Sequence, residues 1–441
     1  MDFQEKLQKS DLLIIFTSTP AGLGHLRVTD ALQESLPQSV QNFVLSSSDP
    51  TITYLHRLSS INPILRQIQY LVQYHPLVEQ LFTNLYRSQQ RRHTKEIANQ
   101  LVSLLNIHHS TPKKVLIIAT HFGLAHKIAQ VKDKVEKKTK IKLLLYVIVT
   151  DDTFQKVWAV DGADYLIVPS KTIKKKYLKY FLRKRLKPPK LIINPYPISP
   201  KFFPKTEKIL LERKKQFSLK SSAPTQILIP ISGAAVQLKF FQKIIPALCH
   251  CSKPFQITVV LKVAPFTRRF QALLPHLKNL TLATSNTDRG TVDLYQEAFF
   301  KSPPPVLEIT KPSEQAFKVL LEPDQAGGVI LLFTNPIGKQ EEDNLKFLRR
   351  HQLIPNLAEM KFLHQVLTQK KADLPWELLE KAQSWRALRL PQHSRQSILF
   401  IENARTTGLF SQMLKYQHSP KKKSLSCHGV EKFWQRVANN L

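Results

Sequence analysis

Leu12-Leu13-Ile14-Ile15-Phe16-Thr17-Ser18-Thr19-Pro20-Ala21-Gly22-Leu23-Gly24-His25 runs from a continuous apolar stretch through a turn of small residues into Leu26–Leu36, which reads as a helix. An unbroken apolar run, without alternation, is the pattern of a strand covered on both faces. Strand, tight turn and helix N-terminus are the opening unit of a doubly wound α/β domain. That geometry also aims unpaired N–H groups and the helix dipole at the turn, where an anion fits. The spacing is not G-x-G-x-x-G and lacks the P-loop lysine-serine, so the turn is either a ligand loop or an ordinary strand–helix connection. His25 stands where an imidazole would look into a cleft between domains; a lone histidine is otherwise a structural or exposed residue.

Similar runs follow at Val115–Ala119, Leu143–Val149, Tyr165–Val168 and Leu191–Asn194, with spacers long enough for crossover helices. A second series, Ile227–Ile231, Ile257–Val263, Leu280–Ala283, Val306–Ile309 and Val329–Phe333, begins after a basic, proline-bearing connection from Pro195 to Lys220. The expected architecture is therefore two doubly wound, Rossmann-like α/β domains facing a cleft, with ligands at the carboxyl ends of strands. Residues 1–205 would form the first domain, with a helical insertion at about 52–107, and residues 206–390 the second. Residues 391–441 would form a basic segment and a closing helix. Within the insertion Leu55, Ile64, Ile68, Leu71, Val78 and Leu81 recur at helical spacing, giving an apolar face that is either core or membrane-facing.

Lysine and arginine number 65 against 32 acidic residues, a net charge of +33 that calls for a polyanionic partner. Residues 171–190 alone hold ten cations and no acid, interleaved with Tyr177, Leu178, Tyr180, Phe181 and Leu182. Such a helix reads as a membrane-surface segment, with Lys174, Lys175, Lys176, Tyr180, Phe181 and Arg183 facing anionic lipid, or as a solvated helix. No nucleic-acid-binding signature accompanies the charge, so nucleic acid is not the expected partner. The apolar runs are far shorter than the ~20 residues of a membrane span. The three cysteines, Cys249, Cys251 and Cys427, have neither disulfide-framework nor zinc spacing, which fits a reducing cytoplasm. Average usage of about 7% would give about 30 glycines; the chain has 11, so those that remain, Gly22, Gly24, Gly233 and Gly338 among them, carry information.

The opening segment resembles that of the glycosyltransferases that make monogalactosyl- and glucosyl-diacylglycerol, and is similar more distantly to the enzyme that adds N-acetylglucosamine to the peptidoglycan lipid precursor. Later segments agree in order: Ala119-Thr120-His121-Phe122; Val149-Thr150-Asp151 with Trp158, Asp164 and Val168-Pro169-Ser170; Asn194-Pro195-Tyr196-Pro197; Ile309-Thr310-Lys311-Pro312; and Asn335-Pro336-Ile337-Gly338-Lys339-Gln340-Glu341-Glu342-Asp343-Asn344. The resemblance implies the glycosyltransferase B type of fold. It implies an inverting, metal-independent hexosyltransferase that needs no cofactor and uses a UDP-sugar as co-substrate. A lipid acceptor, diacylglycerol or a glycolipid, would be reached from the cytoplasmic membrane face. His25 is then the base that takes the acceptor proton, with Asp151 an orienting or alternative carboxylate. Gly22, Gly24 and His121 belong to the acceptor-side loops, and Gly233, Thr310, Lys311, Pro312, Gln340, Glu341 and Asn344 to the donor side. Gln340 and Asn344 share a helical face.

The chain also departs from the family's pattern. The family's glycine triplet in the second domain reads Gly233-Ala234-Ala235 after Ser232, its glycine pair after T-K-P reads Ser313-Glu314, and the acid that grips the donor ribose falls on Val319. These changes imply either an altered donor or a catalytically inactive descendant that binds a membrane or a partner.

Overall fold

A computed structural model describes residues 3–18, 23–46, 63–92, 94–106, 112, 114–231, 235, 238–251, 255–333, 336, 338–416 and 425–441. The chain divides into two units. The first is Met1–Pro200 with Gly338–Gln340 and Ser426–Leu441, and the second is Lys201–Ile337 with Glu341–Leu425.

The first unit is built on six strands: β1 (Leu12–Ser18), β2 (Asn42–Ser46), β3 (Lys114–Ala119), β4 (Lys142–Ile148), β5 (Tyr165–Val168) and β6 (Lys190–Ile193). All pair in parallel, in the order β2-β1-β3-β4-β5-β6. Every residue of β1 is buried, as its unbroken apolar run requires when helices cover both faces of a parallel sheet. The second unit repeats the plan with β7 (Thr225–Ile231), β8 (Phe255–Lys262), β9 (Leu280–Ser285), β10 (Leu307–Thr310), β11 (Val329–Leu332) and β12 (Ala387–Arg389). Their parallel order is β12-β11-β10-β7-β8-β9. The expected pair of doubly wound sheets is present.

Strand order fixes where a ligand belongs. The chain leaves β1 for β2 on one side and then crosses to β3 on the other, so the first sheet reverses direction between β1 and β3. The second sheet reverses between β7 and β10. At such points the loops leaving the carboxyl ends of neighbouring strands diverge and open a crevice.

In the region of the expected insertion the described residues form three helices, Pro63–Tyr74, Pro76–Arg92 and Lys95–Asn106; Leu55 lies outside the described residues. The closing helix Gly429–Ala438 belongs to the first unit. Its Trp434 Nε1 donates to the Leu32 carbonyl at 3.0 Å, and Asn194 Nδ2 donates to the Gly429 carbonyl at 2.8 Å. Only glycine fits at 429, because a Cβ there would meet the Tyr196 carbonyl oxygen at 2.2 Å. None of the described helices is long and apolar enough to cross a membrane.

Candidate functional site

The first switch point carries two histidines. His25 lies in the first turn of the helix Leu23–Gln33, which follows β1, and His121 is the N-cap of the helix Phe122–Thr139, which follows β3. The His25 Nδ1 lies 2.6 Å from the Thr120 carbonyl oxygen. A carbonyl only accepts, so Nδ1 carries the proton and Nε2 is the acceptor nitrogen of the neutral ring. Thr29 Oγ1 donates to the His25 carbonyl at 2.9 Å and lies 3.0 Å from Thr120 Oγ1, tying the helix turn to the end of β3. The His121 ring meets the His25 ring edge to face at 5.2 Å.

His121 is set the other way round. Its Nδ1 accepts the Gly123 N–H at 3.2 Å, the side-chain cap of its helix. Burial, and next the electrostatic influence of the neighbouring His25, hold its pKa well below the ordinary histidine value, so the ring is neutral. A neutral ring that accepts at Nδ1 carries its proton on Nε2. That Nε2 is buried and has no hydrogen-bond partner among the described residues. A Cβ on Gly123 would stand 2.4 Å from the Tyr86 hydroxyl, so a side chain there would displace the tyrosine.

Aromatic side chains wall the pair. Trp158 lies 6.1 Å from His25, Phe122 lies 4.6 Å from His121, and Phe122 packs edge-on against both Trp158 and Tyr86. Trp158 ends the short 3₁₀ turn Lys156–Trp158, which the helix Pro76–Arg92 holds from behind. Arg87 Nη2 donates to the carbonyls of Lys156 and Ala159 at 3.0 and 2.6 Å, and Glu79 accepts from the Lys156 N–H at 2.8 Å. The inward face of that helix (Glu79, Thr83, Tyr86, Gln90) is buried, while Leu77, Leu81 and Leu85 on its outward face are 75%, 61% and 63% exposed. Ile68 and Leu71 of the preceding helix are also exposed.

Asp151 lies just beyond the carboxyl end of β4, half-buried. The hydrogen bond that orients the His25 ring at Nδ1 comes from the Thr120 backbone, which no side-chain pattern announces. Two other residues quoted for the resemblance lie away from the switch point. Asp164, at the amino end of β5, holds Lys132 at 2.6 Å and the Leu145 N–H at 2.7 Å, and Ser170 caps the helix Lys171–Arg183. Gly24 is in the turn beside His25; Gly22 and Gly233 lie outside the described residues.

In the second unit the T-K-P segment and the helix Lys339–Arg350 meet at the β7/β10 switch point. Lys311 Nζ pairs with the buried carboxylate of Glu341 at 3.2 Å, and Asn344 Nδ2 donates to the Pro312 carbonyl at 3.2 Å. Thr310 Oγ1 donates to Gln315 Oε1. Of the three helix residues expected at the donor, Glu341 and Asn344 contact the T-K-P segment. Gln340 belongs to the first unit, where its Oε1 accepts from Gln155 Nε2 at 3.3 Å. Gly338 has φ +98°, and a Cβ there would also meet Gln73 Oε1 at 2.6 Å; that oxygen instead accepts the Lys339 N–H. Ser313-Glu314 leads into a 3₁₀ helix, Glu314–Leu320, in which Val319 is fully buried in the core. On the same 3₁₀ helix Lys318 pairs with Glu308 in the interior, and the Tyr295 hydroxyl donates to Glu308 at 2.8 Å.

The helix Lys171–Arg183 corrects the expected membrane face. Ile173, Tyr177, Tyr180 and Phe181 are buried in the core of the first unit, so Tyr180 and Phe181 face no lipid. Their spacing of four, three and one is itself that of a core stripe. The outward side carries Lys175, Lys176, Lys179 and Arg183 with the exposed Leu178 and Leu182, and Lys174 lies at the margin.

No family model matches the chain, and no curated protein matches it. Among solved structures it is similar to a UDP-GlcNAc 2-epimerase from Neisseria meningitidis bound to UDP-GlcNAc, with 11% identity, 98% of this chain and 100% of that chain covered, and a TM-score of 0.47. It is similar to MurG from Acinetobacter baumannii, with 13% identity, 98% and 99% covered, and a TM-score of 0.45. A third is a UDP-forming α,α-trehalose-phosphate synthase from Burkholderia vietnamiensis, with 10% identity, 98% and 100% covered, and a TM-score of 0.44. With TM-scores below 0.5, the fold stands on the strand order described above.

Proposed function

We propose that this protein transfers a hexose from a UDP-sugar to a hydroxyl of a lipid acceptor, a diacylglycerol or glycolipid, at the cytoplasmic face of an anionic membrane. The observation that carries the reading is His25: an imidazole at a topological switch point whose Nδ1–H is pinned to a backbone carbonyl, which keeps Nε2 as a base. His25 Nε2 would take the acceptor's hydroxyl proton as that oxygen bonds to the anomeric carbon. The bond from that carbon to the diphosphate breaks on the opposite face, so the product is inverted and UDP leaves. Lys311, Thr310 and the backbone around Pro312 would lie along the diphosphate, with Glu341 and Asn344 positioning them, and no metal or cofactor enters this scheme. The lipid part of the reading rests on the exposed Leu77, Leu81 and Leu85 in a chain of net charge +33, a combination suited to an anionic bilayer.

The test is to offer purified protein labelled UDP-glucose, UDP-galactose and UDP-N-acetylglucosamine with anionic vesicles containing diacylglycerol. Transfer from one of the three is expected; absence of both transfer and donor hydrolysis with all three rejects the reading. A second reading, a non-catalytic module that keeps the scaffold, is favoured by Val319, whose burial leaves no carboxylate at the position where the resemblance expects the ribose-binding acid. That reading requires vesicle binding without measurable uridine diphosphate affinity by calorimetry.

A further inference from the structure

The two histidines at the β1/β3 switch point are set in opposite tautomers by unrelated backbone groups, and this says what they bind. Thr120 O fixes the proton of His25 on Nδ1, and Gly123 N–H fixes that of His121 on Nε2. The first ring therefore offers an acceptor nitrogen and the second a donor. A buried donor left without a partner costs about 1–3 kcal/mol, so the His121 Nε2–H is an atom built to be met by a ligand or water. A phosphate or carboxylate would suit two donors, and a metal ion would suit two acceptor nitrogens; one of each suits a group that both gives and receives a hydrogen bond. With ring centroids 5.2 Å apart, the two rings are close enough to share one small polar group.

We infer that His25 and His121 form a single alcohol-binding pair in which the ligand hydroxyl donates to His25 Nε2 and accepts from His121 Nε2–H. The assignment deepens the transfer reading above and rests on it for its catalytic consequence. As the proton passes to His25, negative charge grows on the acceptor oxygen, and the His121 N–H already points its dipole at that oxygen. His121 is then a substrate-contacting donor as well as a helix cap. Trp158 and Phe122 flank the pair, in which His121 is buried and His25 half-buried.

His121→Asn separates the two roles, because asparagine is a good N-cap and keeps an oxygen for the Gly123 N–H but does not extend to the Nε2 position. His121→Phe removes both. The expected result is that the asparagine variant melts close to the parent while kcat for transfer falls by about 10²-fold or more, with the KM for the UDP-sugar unchanged. Unchanged kcat in the asparagine variant would overturn the inference, leaving His121 as a cap alone. Nitrogen-15 NMR of the parent should report the Nε2–H form at His121 and the Nδ1–H form at His25; the same tautomer at both overturns it without reference to activity. Titration with dioctanoylglycerol distinguishes the two levels of the proposal. Shifts at both rings that His121→Phe abolishes, in a protein that transfers no sugar, would sustain the pair and reject the transfer reading. Absence of any shift at either ring in the parent would reject the pair.

Discussion

At the β1/β3 switch point the polar side chains are held from behind by the backbone, and His121 keeps a proton donor that no described residue takes. At the β10/β7 switch point the side chains are turned on one another: Lys311 on Glu341, Thr310 on Gln315 and Asn344 on the Pro312 carbonyl. The same topology produced both places, so the difference lies in the side chains. A ligand entering the first meets groups whose orientation is already fixed. A diphosphate entering the second must draw Lys311 away from a carboxylate that is itself buried, and removing one partner of a buried pair is expensive. The first unit thus holds oriented polar groups with one donor left open among the described residues, and the second holds a polar cluster whose members satisfy one another.

The comparison is broken most directly at His25. If the first switch point is the reacting end, His25→Ala should lower kcat for transfer by about 10²–10⁴-fold, the range for loss of a general base, while uridine diphosphate affinity measured by calorimetry stays within twofold. Loss of nucleotide affinity in that variant would place the nucleotide at the first unit and reverse the assignment.

The next effect is on stability. Lys318, on the 3₁₀ segment that begins where the resemblance expects glycines, pairs with Glu308 of β10 inside the second unit, with side chains 8% and 5% exposed. Lys318→Met leaves the Glu308 carboxylate buried without its cation, which should cost about 3–5 kcal/mol, or about 10 °C in the melting temperature of a unit this size. Glu308→Gln together with Lys318→Met should recover most of the loss, because the remaining Tyr295 hydrogen bond needs only a neutral acceptor. A single Lys318→Met variant that melts with the parent would mean that this segment is not held by its charges, and the contrast between the two units would soften.

A third effect separates the faces of one helix. Leu81→Ser with Leu85→Ser alters only the outward side of Pro76–Arg92 and leaves Glu79, Tyr86 and Arg87 at the site. Partition onto anionic vesicles in a flotation assay should fall by about tenfold or more, since each buried CH₂ contributes about 0.8 kcal/mol to membrane affinity. Turnover of a water-soluble acceptor should be unchanged. If soluble-substrate turnover drops as well, the outward leucines are serving the fold of the first unit instead.

Much of the scaffold was legible because buried parallel strands are written as apolar runs. Ten of the strands coincide with such runs, from Leu12–Ser18 to Val329–Leu332. The two that escaped are the edge strands β2 and β12. In β2 Val44 is 47% exposed, which breaks the both-face burial that makes the pattern; in β12 Ala387 and Leu388 are buried, but three residues, Ala387–Arg389, are too few to write a run. The helix Lys171–Arg183 was legible as a helix but misleading in direction, because its lysines drew attention from the Ile173–Tyr177–Tyr180–Phe181 stripe that packs into the core. At the site, His25 and His121 could be named from motif order. Their opposite tautomers could not, since one depends on a carbonyl 95 residues away and the other on an N–H two residues on. Likewise nothing local announces that Glu79 and Arg87 support the turn bearing Trp158, because those bonds span 77, 69 and 72 residues.

The smallest expected effect falls on the loop after β7, where the glycine triplet of the resembling family ends in Ala235. A side chain there would cost little if the backbone had changed with it, but Ala235 keeps φ +44°, in the left-handed region. The position carries alanine in a conformation that suits glycine, and its side chain is buried in the same core cluster as Phe240 and Phe241. Left-handed backbone costs a Cβ-bearing residue about 1–2 kcal/mol. Restoring glycine releases that strain, gives back some of the gain as unfolded-chain entropy, and removes one buried methyl. The balance for Ala235→Gly should be between zero and about 1 kcal/mol of stabilisation, measured by urea unfolding. If uridine diphosphate affinity rises together with stability, the alanine was also obstructing the second switch point, and the contrast with the first is one that a single methyl group helps to maintain. If stability rises alone, the Ala235 methyl does not obstruct the second switch point, and the contrast between the two places rests on the paired charges of Lys311 and Glu341.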